Sequence, residues 1–433
     1  MRACQLVRRT STALFVILAA TVLPPAEHHA AASGQGTPAL RAGVARIDIT
    51  PEGPIALQGY LNPEDRISEG VHDRLYARAI AFASGSTRLV IVSADLASFA
   101  FGPYFQNRIA QRLGLRPDEI LLCATHTHSG PQLSLNRDYP HPGKAAYTEV
   151  LNTKLVTVVD RALRALAPAR ISVGHGTSRV GMSRRLILPD GRVEMLPNPA
   201  GISDPDVLAI RVERERGGLM AVLFSYACHS RSLRRPNRLV SGDILGIAEQ
   251  HVETRLGGQV IVAAFAGASA DVDPARVVDS FAAPEGTVPE TVRQGRSLGD
   301  SVVEAVNAAT AVASPAPFRF STADVPLPRK HGTARGVRVV TAAVGDIGLA
   351  AVECEVSTQI GLAVKAASPF RHTFVATVCY AWGGYLPATS QYPEGGYEVG
   401  HSPYAPGAAE TLVEATVGML KRLAPGRPVA SPR

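Results

Sequence analysis

The sequence has neither an HExxH helix signature nor a CxxC pair, so the two commonest local metal-binding patterns are absent. Its 5 cysteines are widely spaced, too few and too scattered for a disulfide framework in 433 residues. Beyond the amino terminus no run of 18 uncharged apolar residues occurs, which leaves nothing long enough to span a bilayer as a helix. Basic residues form no extended face. Although the net charge is +7, the densest group is Arg231, Arg234, Arg235 and Arg238, without aromatic or motif support, and nucleic-acid binding is therefore not expected. No repeat of 20–50 residues is present.

What remains is a globular composition, 46% hydrophobic and 19% charged, with 39 Gly and 32 Pro. Residues 1–35 combine a basic start (MRACQLVRR), an apolar core shorter than a membrane span and a small-residue tail. That is the pattern of a cleaved secretory signal peptide and predicts a secreted or periplasmic protein. From residue 36 to 433 short apolar runs alternate with amphipathic stretches, which predicts an α/β fold. One large single domain is expected, with mixed β-sheets flanked by helices and a metal site at strand ends. Strands are predicted at 77–83, 89–93, 120–124, 207–212, 220–226, 260–265, 347–352 and 373–380, and helices at 104–113, 145–166, 244–256, 290–312 and 408–423. Residues 282–289 and the Pro-rich 314–328 read as loops. Cys123, Cys228, Cys354 and Cys379 each lie in or at the end of an apolar run, where a cysteine most often behaves as a small buried hydrophobe, and an exported chain could also pair some of them.

The candidate chemistry sits where apolar runs end. Thr125-His126-Thr127-His128-Ser129-Gly130-Pro131 follows ILLCA and brings two imidazoles, at i and i+2, to one side of an extended backbone. His229 follows MAVLFSYAC, and Asp243, in VSGD, is expected to cap a helix. Asp271 and Asp273 follow AAFAGASA, Glu353 and Glu355 end LAAV, and Tyr385 and Tyr397 follow FVATVC. Two histidines, a carboxylate and a phenolate could hold Zn²⁺ with an open position, which suits amide or ester hydrolysis.

These segments, in order, resemble the neutral/alkaline non-lysosomal ceramidases: ARIDITP, VHDRLYARAIAF, ATHTHSGP, DPDVLAIRV, YACHS with VSGD, AFAGASADVDP, VECEVST and GYLPATSQYPEGGYE. The resemblance implies a zinc amidase that cleaves N-acyl bonds of lipid or sphingolipid-like small molecules, which leaves room for peripheral contact with a membrane. It places zinc ligands at His126, His229, Glu355 and Tyr385, and substrate-contacting or oxyanion-steadying residues at His128, Arg184 and Tyr397. The preference for His126 over His128 as ligand comes from the resemblance alone.

Two departures bear on function. Where the family carries a catalytic Ser, this chain has Asp273, just before Pro274. The family's C-terminal β-sandwich domain would begin about where this chain ends. The reading is then attack by zinc-bound hydroxide, with Asp273 orienting or deprotonating it. The alternatives are a zinc esterase or acyl hydrolase on a non-sphingolipid substrate, or a non-catalytic lipid-binding relative.

Overall fold

The computed structural model describes residues 39–60, 66–136, 143–312 and 317–424. The expected signal segment, residues 1–35, lies outside them. Alternating and continuous apolar runs form two large sheets packed face to face, each with helices on its outer side. The larger sheet has nine strands. Its main path runs Ile261–Ala266, Leu219–Tyr226, Asp206–Arg214, Ala167–Thr177, Arg41–Asp48, Tyr76–Ser84, Thr87–Ala94, Ile120–Ala124. The pairs at the two ends of this path are parallel and the rest antiparallel. The sheet folds back on itself, so that Ser93 Oγ, near one end, donates to Ala264 O, near the other, at 2.6 Å.

Arg319–Leu327, Arg335–Val344, Ile347–Val352 and His372–Ala376 make the second sheet. Phe82, Leu121, Ile171, Leu223 and Phe265 from the first sheet and Val340, Ala342 and Phe374 from the second share one buried cluster. Helices Gly102–Leu113 and Gly143–Arg164 cover one half of the large sheet, Asp243–Arg255 and Glu290–Asn307 the other half, and Thr358–Ala367 with Ala408–Leu423 the small sheet. This is the mixed α/β architecture the sequence predicts.

Two local expectations are corrected, and the cysteine pairing, open in the sequence, is found. The Pro-rich stretch read as a loop contains the edge strand Arg319–Leu327, in which Pro326 sits opposite Gly336 one residue from the strand's end. An edge strand tolerates proline because its outward N–H groups need no ladder partner. The helix expected to reach residue 312 stops at Asn307, and Thr310–Ala311 pairs with Ala167–Thr177. Of the cysteines, Cys228 and Cys354 are free and buried, whereas Cys123 and Cys379 form a disulfide that ties the two sheets together beneath the site.

Candidate metal centre

Five of the predicted site segments leave the carboxyl end of a strand, whereas Arg184 lies within the strand Gly181–Ile187 and Tyr397 opens the helix Tyr397–His401. His126 follows Ile120–Ala124, His229 follows Leu219–Tyr226, and the segment bearing Asp271 and Asp273 follows Ile261–Ala266. Glu355 follows Ile347–Val352 and Tyr385 follows His372–Ala376. Because the strands concerned pair in parallel at Thr87–Ala94/Ile120–Ala124, Leu219–Tyr226/Ile261–Ala266 and Ile347–Val352/His372–Ala376, their ends open onto one side. Glu355 and Tyr385 are then paired directly in a short parallel ladder.

The three imidazoles of His126, His128 and His229 are buried, and ligand nitrogens from them lie within 4.8 Å of one another. Two of them are oriented from behind. His126 Nδ1 donates to Ala97 O at 2.6 Å, and His229 Nδ1 donates to Ser269 O at 2.7 Å, which turns both Nε2 atoms inward. His126 adopts a left-handed backbone, φ 63°, to make that turn. Glu355 Oε2 stands 3.3 Å from both Nε2 atoms. His126 Nε2, His229 Nε2 and Glu355 Oε2 are buried without a hydrogen-bond partner among the described residues. Buried polar atoms left so are costly, and three converging on one point fit a cation. Carbonyl-anchored Nδ1–H groups are the usual outer support of metal-ligating imidazoles.

His128 differs. Neither of its ring nitrogens has a partner among the described residues, and Tyr60 packs edge-on against the ring with centroids 5.2 Å apart. Burial and then the neighbouring His126 and His229 hold it well below the ordinary histidine range, so the ring is neutral. The proximity of all three imidazoles alone would favour a three-histidine ligand set. The anchored Nδ1 atoms and the position of Glu355 favour His126, His229 and Glu355.

Glu353 and Glu355, two residues apart, part company: Glu353 accepts from Arg335 Nη2 at 2.8 Å and Arg338 N at 3.0 Å, away from the histidines. The Tyr385 ring lies 6.5 Å from that of His229 and 5.6 Å from that of Tyr397. Burial pushes its phenol well above the ordinary range, as does the Glu355 charge, with Arg184 acting in the opposite direction. The Arg184 guanidinium lies 5.9 Å from the Tyr385 ring and 5.6 Å from the Tyr397 ring.

Asp273 is gripped by two arginines. Arg184 Nη1 donates to its Oδ1 at 3.0 Å, and Arg231 donates to both oxygens in a bidentate pair. The ladder between Val272–Pro274 and Gly181–Ile187 brings Arg184 beside it. Burial would raise its pKa, but the two guanidiniums outweigh burial and hold the carboxyl far below its usual range. Asp273 is thus ionised, as the sequence reading requires, but so strongly stabilised as an anion that it is a weak proton acceptor. Asp271 faces elsewhere, accepting from Thr358 N, Thr358 Oγ1 and Gln391 Nε2. Asp243 is not the helix cap; Gly242 holds that position. The Asp243 carboxylate does accept from one first-turn amide, Ile244 N at 2.7 Å, and it also accepts from Ser232 N, Ser232 Oγ and Leu233 N, holding the segment after His229.

Sequence reasoning missed Arg231, Tyr60, Glu398 and Trp382. Arg231 follows His229 by two residues, but only the fold shows that it meets Asp273; Glu398, next to Tyr397, binds Arg184 and Arg185. A family model described as neutral/alkaline non-lysosomal ceramidase, N-terminal, matches residues 40–287. The neutral ceramidase of Pseudomonas aeruginosa is 29% identical over 254 residues, 53% of this chain and 36% of that protein. That of Mycobacterium tuberculosis is 26% identical over 313 residues, 66% of this chain and 48% of that one. The chain therefore spans between about a third and a half of these relatives. The crystal structure of neutral ceramidase from Pseudomonas aeruginosa superposes with a TM-score of 0.73 at 20% identity, over 92% of this chain and 77% of that one. A ceramidase complexed with C2 superposes with a TM-score of 0.74, likewise at 20% identity, over 91% and 76%.

Proposed function

The chain belongs to the neutral/alkaline non-lysosomal ceramidase family, and from that premise we propose that it is a zinc-dependent hydrolase of an N-acyl amide bond with a lipid-like substrate. The observation that carries this reading is the convergence of His126 Nε2, His229 Nε2 and Glu355 Oε2, buried and without a hydrogen-bond partner among the described residues. His126, His229 and Glu355 would hold the ion, with Tyr385 completing the set. Bound there, zinc supplies Lewis acidity to a carbonyl and lowers the pKa of water. The acyl carbon gains the oxygen of water, the C–N bond breaks, and the amine leaves with a proton.

The chain's own residues supply the rest. Neutral His128 presents a ring N–H free to donate to the developing oxyanion, and Tyr397, edge-on to Tyr385, is the second candidate donor. Arg184, fixed by Asp273 and Glu398, steadies the negative side of the site. Asp273 acts by holding Arg184 and Arg231 in place rather than by accepting a proton.

Metal analysis of the purified protein, with an activity screen over N-acyl amides, esters and ceramides, tests the proposal. About one zinc per chain and amide cleavage are expected; full zinc occupancy in His229→Ala would refute the site. We also infer export from residues 1–35. A mature amino terminus between residues 30 and 36 supports that, and intact Met1 on protein from the native host refutes it.

A further inference from the structure

Trp382 is the only tryptophan in the chain, and it stands beside the candidate metal centre with 51% of its surface exposed. Its Nε1–H donates to Glu355 Oε1 at 2.6 Å, while the other oxygen of that carboxylate faces His126 and His229. One end of the indole is thus tied to a buried acid and its apolar body is left in water.

The tryptophan is placed rather than loose. Gly383 O, the next carbonyl, accepts from Tyr404 Oη at 2.7 Å and from Arg335 Nη1 at 3.1 Å. A Cβ at Gly383 would stand 2.8 Å from Cys354 Sγ, so the loop presses onto the small sheet as only glycine allows. Glu355 N in turn donates to Gly384 O at 3.1 Å. The Trp382 loop and the Glu355 strand are therefore fixed to each other by backbone and by side chain.

We propose that Trp382 is a positioning and specificity-determining residue. Its N–H holds Glu355 so that Oε2 alone is offered to the metal, and its exposed face carries the apolar chain of an N-acyl substrate. The second half rests on the amidase reading above; the first needs only the metal. Ligating carboxylates depend on such outer hydrogen bonds, whose loss weakens metal binding by roughly 10- to 100-fold. An indole is suited to both tasks, since it joins one polar N–H to a broad apolar face.

The test uses the full chain with Trp382→Phe, which keeps a ring but loses the donor, and Trp382→Ala, which loses both. In competition with a chromogenic chelator, both variants should bind Zn²⁺ about 10- to 100-fold more weakly than wild type. Unchanged zinc affinity in Trp382→Phe overturns the positioning role. For the apolar face, a twelve-carbon fatty acid brominated near its methyl end should quench the single tryptophan emission of the wild type. The unbrominated acid should reverse the quenching, and bromoacetate at the same concentration should not reproduce it. Absence of chain-dependent quenching overturns the specificity role, whether or not an amide is cleaved. KM for a long-chain N-acyl amide should rise about tenfold more in Trp382→Ala than in Trp382→Phe; equal rises also overturn it. A wild type that binds no zinc defeats the metal reading and the positioning role together. A wild type that binds zinc and cleaves no amide defeats the function alone, because chelation and quenching still report on Trp382.

Discussion

Arg231 grips both carboxylate oxygens of Asp273, with only 15% of the Arg231 side chain and 10% of the Asp273 side chain exposed. Arg184 joins from the other side, and Asp273→Asn would leave the largely buried Arg231 without its carboxylate and Arg184 with Glu398 alone. The expected cost is about 3–5 kcal/mol of stability, the usual penalty for breaking a buried pair from one side. Pairing Asp273→Asn with Arg231→Met should recover part of the loss, because the second change removes the stranded charge. Chemical denaturation of the two single variants and the double variant measures this; a double variant no more stable than Asp273→Asn would contradict it.

His128 and His229 are expected to separate in metal content. His229→Ala or Glu355→Ala should lose zinc and hydrolysis together, since each removes an inward-facing ligand atom. His128→Ala should keep close to one zinc per chain while turnover falls by roughly 10²-fold or more, the scale of losing one oxyanion donor. Zinc loss in His128→Ala would establish the three-histidine set instead.

Gly59 sits at φ 114°, and a Cβ there would stand 2.5 Å from His128 Cγ and 2.7 Å from its Cα. Gly59→Ala is therefore both strained and in collision with the imidazole. Turnover should fall by about 10²-fold, as for an ångström-scale misplacement of a reacting group, with zinc retained. Normal turnover in Gly59→Ala would show that His128 can move without consequence.

Acid sensitivity should be traceable to Asp206. Burial alone would raise its pKa, but a hydrogen bond from His175 and the Lys365 ammonium outweigh burial and bring it down to about 2. A carboxyl depressed on folding adds stability above its unfolded pKa, near 3.9, and that contribution fades as pH falls toward about 2. Melting temperatures across that window should fall less steeply for Asp206→Asn than for wild type. Equal slopes would remove Asp206 from the account.

The strand ends were legible because apolar runs such as ILLCA and LAAV stop abruptly at polar groups, and a histidine or glutamate directly after a buried strand needs a polar partner where the strand ends. Arg41–Asp48 and Ala167–Thr177 were not, because arginines and small residues interrupt their apolar pattern and pairing, not propensity, makes them strands. In the site, the i and i+2 spacing of Glu353 and Glu355 showed two acids but not that one answers Arg335 and the other the histidines. The clasp of Arg231 on Asp273 crosses 42 positions, and nothing local announces it. Even the choice between His126 and His128, open in the sequence, turns on which imidazole finds a carbonyl behind it.

The inward-facing atoms belong to residues 126, 229 and 355, each on a different stretch of the chain, and two of the imidazoles are already oriented by Ala97 O and Ser269 O. Three such distant segments meet only after the sheets that carry them have paired, since long loops must close before non-local contacts are gained. On the proposed metal reading an ion would therefore arrive late, at a finished cradle, and would not nucleate folding as it does in a zinc finger. Chelation should leave an apo chain with its sheets intact. A metal bound there would contribute by mass action, each tenfold of free ion above its dissociation constant adding about 1.4 kcal/mol to the folded state.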